Sequence, residues 1–88
     1  MIFVCLARWR KKPTKESVAQ SSKLFEQMVK EGSKIIGIYW TLGRYDAVVI
    51  TEGPDEKTAM KSILQWGDLL STETLVAVTR EEALKLVK

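Results

Sequence analysis

The sequence predicts an α+β domain: an antiparallel four-stranded sheet in the order 4-1-3-2, two helices on one face, and a short helix at the C-terminal end. Three observations predict it. Four β-prone runs and two helix-period runs follow one another as βαββαβ, the split arrangement of ferredoxin-like folds. Right-handed crossovers then set the strand order and put both long helices on one side. The 88 residues amount to one domain, 1–88, because domains typically run to about 100–150 residues.

The first strand is Ile2 to Arg8, an apolar run ended by charge and by Pro13. Thr14 is placed to cap a helix reaching about Glu31, with Val18, Phe25, Met28 and Val29 on one face and Gly32 as a left-handed stop. Lys34 to Leu42 and Tyr45 to Glu52 form a β-hairpin around Gly43-Arg44. Asp55 caps a second helix from about Glu56 to Trp66, with Ala59, Met60, Ile63 and Leu64 expected inward and Gly67 as its stop. Thr72 to Thr79 is the fourth strand. Thr79-Arg80-Glu81-Glu82 is a capping box that opens a terminal helix to about Val87.

Composition excludes several chemistries. There is no His, which removes Ser-His-Asp and Cys-His catalysis and His-ligated metals. Cys5 is the one thiol, too few for an internal disulfide or a Cys-based zinc site, and it is expected as a small buried hydrophobe. No cofactor and no metal site are expected; Glu52, Asp55 and Glu56 are read as a turn and a helix cap. The lack of Asn weakly suggests heat adaptation. No apolar run is long enough to span a membrane, and the N-terminal charges follow the apolar stretch, the reverse of a secretory signal. The expected location is the cytoplasm, away from membranes.

Charge is uneven. Residues 1–44 hold nine Lys/Arg and three Glu, net +6, whereas residues 45–88 hold five Lys/Arg and eight Asp/Glu, net −3. Five of the eight residues from Arg8 to Lys15 are cationic, with Trp9 among them. Arg8, Arg10, Lys11 and Lys12 are therefore the candidate anion contacts, set against the plainer reading of a solvated loop.

Strand alternation makes both faces of the sheet apolar. Ile2, Val4 and Leu6 oppose Phe3, Cys5 and Ala7; Val48 and Ile50 oppose Ala47 and Val49; Ile36, Ile38, Trp40 and Leu42 oppose Ile35, Gly37, Tyr39 and Thr41. Helices cover one face only, and a sheet with one wet face alternates cleanly, so the helix-free face is expected to meet a second copy of the chain. RNA-binding sheets of this topology carry aromatics on strands one and three, which this sequence does not supply well; nucleic acid is the disfavoured partner. Trp40 and Trp66 are assigned to the core.

At Leu42-Gly43-Arg44-Tyr45-Asp46 the chain resembles the GYD-domain family, named for a Gly-x-Tyr-Asp element. The likeness continues through Glu52-Gly53-Pro54-Asp55, Gly67 and Thr72-Glu73-Thr74-Leu75, about residues 35–80; the first strand and helix match in pattern alone. The resemblance implies a ferredoxin-like domain of the dimeric α/β-barrel type and carries no settled biochemical activity.

Tyr39, Arg44, Tyr45 and Asp46 are the candidate ligand-binding residues. The alternative for Gly43, Tyr45 and Asp46 is structural: Gly43 takes a positive φ, and Asp46 accepts main-chain hydrogen bonds. Tyr45 and Asp46, adjacent in a strand, point to opposite faces. Asp46 is expected beside Met1–Phe3, near Arg80 and Arg44. The expected function is a small oligomeric module with a binding or assembly role. The alternatives are a cofactor-independent oxygenase or isomerase working in a cavity between sheet and helices, and an anion or nucleic-acid binder working through Arg8–Lys15. An enzyme would show itself by a polar cavity holding Tyr39, Tyr45 or Cys5 beside a strongly shifted carboxylate.

Overall fold

A computed structural model describes residues 1–87. The elements are β1 (Ile2–Trp9), α1 (Lys15–Lys30), β2 (Lys34–Trp40), β3 (Ala47–Glu52), α2 (Glu56–Trp66), β4 (Leu70–Ala77) and α3 (Arg80–Leu84). The sheet order is β2-β3-β1-β4 with every pairing antiparallel, the expected order read from the other edge.

The helix ends follow local chemistry. The Thr14 side chain accepts from Ser17 N–H, and Ser17 Oγ accepts from Thr14 N–H, so two orphan donors of the first turn are satisfied reciprocally. Gly32 closes α1 at φ 101°, as expected of a left-handed stop. Asp55 Oδ1 accepts from Thr58 N–H at 2.8 Å and caps α2. Gly67 does end α2, but at φ −55°, in the ordinary right-handed region. At α3, Thr79 accepts from Glu82 N–H at 3.2 Å, and the helix stops at Leu84, short of the expected Val87.

The strands depart from expectation at their ends. β4 begins at Leu70, two residues early, because Leu70 pairs with Trp9 and is buried in the core. β2 stops at Trp40 and β3 starts at Ala47, so residues 41–46 form a broad turn. A bulge between Ile35 and Gly37 switches the side-chain alternation of β2. Ile35 is thereby opposite Thr51, and Ile38 and Trp40 are opposite Val49 and Ala47, all on the helix side; Ile36 lies in the bulge and is exposed.

The core lies between sheet and helices: Phe3, Ala7, Ala47, Val49 and Leu70 from the sheet side, Met28 and Trp66 from the helices. Phe25 tilts against Trp66 at 4.7 Å between ring centroids. Three inward assignments on the helices and one on β2 are corrected. Val29, Met60 and Leu64 are exposed, and the inward stripe of α2 is Ala59, Ser62, Ile63 and Trp66. Met60 and Leu64 lie one position further round the helix, a stripe of similar apolarity, so hydrophobicity alone does not choose between them. Trp66 is core as expected. Trp40 is 63% exposed, because its end of β2 runs past the helices at the sheet edge.

Candidate functional site

The Gly-x-Tyr-Asp turn is a fastening. Gly43 has φ 111°, the left-handed region that favours glycine. Thr41 N–H donates to Asp46 C=O at 2.9 Å, Thr41 Oγ1–H to Tyr45 C=O at 2.6 Å, and Asp46 N–H to Ala7 C=O at 2.8 Å. Asp46 Oδ2 then accepts from Trp9 N–H at 2.8 Å. Since β3 runs antiparallel to β1, Asp46 sits beside Ala7–Trp9; the expected neighbours Met1–Phe3 and Arg80 lie at the far end of the sheet.

The four candidate ligand residues do not converge. Tyr39 is opposite Val48, on the helix-free face, with its ring folded back over Gly37; a Cβ on Gly37 would meet Tyr39 Cε2 at 2.6 Å. Tyr45 reaches across the sheet end and donates its hydroxyl proton to Glu73 Oε2 at 2.7 Å, with Arg44 5.8 Å from its ring centroid. Donating to a carboxylate holds the Tyr45 phenol above its ordinary range. Of the four, Asp46 lines a cleft beside Trp9 and Trp40.

The basic segment also divides. Arg8 follows Leu6 on the helix-free face, whereas Arg10, Lys11 and Lys12 line a cleft of about 410 Å3 on the helix side, together with Trp9, Trp40 and Asp46. Arg10 is held there twice: its N–H donates to Leu69 C=O at 3.0 Å and its Nε–H to Gly67 C=O at 2.6 Å.

A second space of about 50 Å3 lies between sheet and helices. Its walls are mostly apolar, including Phe3, Phe25, Met28 and Trp66, with hydroxyls or a thiol from Ser33, Thr51, Ser62, Thr72, Thr74 and Cys5. The space is several times the roughly 10–15 Å3 that one water needs. Ser62 is 2% exposed, and its Oγ has no hydrogen-bond partner. A buried hydroxyl without a partner costs about 1–3 kcal/mol, so it favours any guest that hydrogen-bonds to it. Cys5 is kept a neutral thiol: burial pushes its pKa up, partly opposed by a hydrogen bond with Thr74. Tyr39 and Tyr45 are not in this lining, and neither is any carboxylate. Sequence reasoning named Cys5 here but missed Ser62, whose only signal is a small polar residue within the apolar period of α2.

Among the described residues no cluster of His, Cys, Asp and Glu could hold a metal ion, and no helix is long and apolar enough to cross a membrane.

A four-stranded antiparallel sheet with its helices on one face, a Gly-x-Tyr-Asp turn tied into its central strand, and a mostly apolar space beneath the helices define a small α+β domain. The profile of the GYD domain matches residues 3–87, nearly the whole chain, and the chain belongs to the GYD-domain family. No curated protein matches it.

Proposed function

We propose that this GYD-domain protein is a ferredoxin-like, homo-oligomeric binding module whose copies pack through the helix-free face of the sheet. The observation that carries the proposal is that face: Ile2, Val4 and Leu6 on β1, Val48 and Ile50 on β3, and Leu75 on β4 form adjoining cross-strand rows. Side chains in such rows support one another but leave their tops to solvent, and a broad apolar patch of that kind is costly in a monomer. The thin core, with seven buried apolar side chains among the described residues, makes a shared second layer worth more.

Sedimentation at micromolar concentration tests this. The wild type should run as a dimer or larger. Val4→Asp, which puts a charge between Ile50 and Leu75, should run as a folded monomer. A monomeric wild type overturns the proposal.

A second reading concerns what the module binds. The partnerless Ser62 Oγ in a mostly apolar space favours a small apolar guest with one hydrogen-bonding group. The oxygenase or isomerase alternative is less well supported, because the space has no carboxylate in its lining and Cys5 is held neutral. RNA on the sheet is likewise disfavoured: neither β1 nor β3 places an aromatic on the helix-free face. Native mass spectrometry of protein from its own host reads the oligomer and any retained guest together.

A further inference from the structure

We propose that the cleft between the β1–α1 connection and the end of β2 binds an aromatic phosphate of mononucleotide size. The indoles of Trp9 and Trp40 pack edge to face, 5.9 Å between centroids and inclined at 67°, and form one aromatic corner of the cleft. Trp40 is 63% exposed, an unusual state for the largest apolar side chain and one that leaves its ring free to be stacked upon. Arg10, Lys11 and Lys12 line the same cleft. Three adjacent cations match a phosphate of charge about −1.5 to −2 better than a singly charged carboxylate.

Position is built in. Arg10 is anchored by the Gly67 and Leu69 carbonyls, so the segment leaves β1 in a defined direction. The segment then enters α1, whose N-terminal end adds positive potential. Asp46 completes the floor. Its Oδ2 is taken by Trp9 N–H, and its other carboxylate oxygen is free to accept from an exocyclic amine of a ring stacked on Trp40. At about 410 Å3 the cleft suits one nucleotide rather than a strand. It lies on the helix side of the sheet, so packing through the other face leaves it open.

Calorimetric titration at low salt with adenosine monophosphate, adenosine and inorganic phosphate tests the assignment. Adenosine monophosphate should bind more tightly than either half by about tenfold or more, since stacking and charge contribute together. Trp40→Leu and the double variant Lys11→Ala/Lys12→Ala are surface changes that keep the fold, and each should weaken binding by about tenfold. Raising salt from about 50 to 200 mM should weaken the wild type and affect the lysine double variant less. Adenosine monophosphate binding no better than phosphate overturns the proposal, as does an undiminished affinity in Trp40→Leu. A single-stranded oligonucleotide that binds where the mononucleotide does not also overturns it, in favour of a strand-binding track.

Discussion

The Asp46 carboxylate accepts the main-chain N–H of Trp9 at 2.8 Å, just beyond the last paired residues of β1 and β3, Ala7 and Ala47. The strands part there, and the side chain takes the place of the next ladder carbonyl. The same residue's N–H donates to Ala7 C=O and its C=O accepts from Thr41 N–H, so Asp46 joins both ends of the turn to the central strand.

Asp46→Asn keeps the shape but gives up the charge on that acceptor. The expected cost is about 1–2 kcal/mol in denaturant unfolding, with fold and oligomer retained. Unchanged stability would show that the carboxylate is kept for a ligand instead.

Gly43→Val is expected to cost about 1–3 kcal/mol through backbone strain at φ 111°. A new Cβ at Gly43 meets nothing within 4 Å, so the loss would come from the backbone and not from a clash. A change of less than about 0.3 kcal/mol would mean that the turn relaxes to another form.

Ser62→Ala removes a buried hydroxyl that has no partner, so it should leave stability unchanged or raise it by about 1 kcal/mol in guest-free protein. Marked destabilisation would show that Ser62 Oγ is satisfied in solution. Guest retention measured on the same variant separates its two roles.

Glu31 accepts from Gln27 Nε2 at 2.8 Å and pairs with Lys61 Nζ of α2 at 3.4 Å. The Gln27 bond, with Lys61 adding to it, holds the carboxyl below its ordinary value near 4.5. A carboxyl lowered in the folded state stabilises above its unfolded pKa and loses that contribution as pH falls through its folded pKa. Thermal melts from neutral to acid pH should therefore fall less steeply below about pH 4.5 in Glu31→Gln than in the wild type. Parallel curves would show that the contact does not persist.

Much of the fold was legible because its signals are local. Thr14 and Asp55 cap through their own next turn, Gly32 and Gly43 take positive φ, and the order βαββαβ leaves few sheet arrangements. The inward stripe of α2 was not legible, since Met60 and Leu64 are as apolar as Ile63, and Ser62 reads as a surface residue. The early start of β4 escaped for a related reason: Leu70 joins the sheet only by pairing with Trp9 at the far end of β1.

By itself the sequence determined the element order, the caps, the charge asymmetry, the two apolar sheet faces and the family, all of which depend on residue type and spacing along the chain. Tertiary structure alone decided which residues meet. It parted Arg8 from Arg10, Lys11 and Lys12, because β1 ends at Trp9 and the chain beyond it leaves the strand alternation, with Arg10 tied to the Gly67 and Leu69 carbonyls. It turned Trp40 out of the core and against Trp9, because an edge strand can outrun the helices that cover its sheet. It also left Ser62 Oγ without a partner beneath α2, because the packing of a helix on a sheet is set by the sum of its contacts and not by the needs of one hydroxyl.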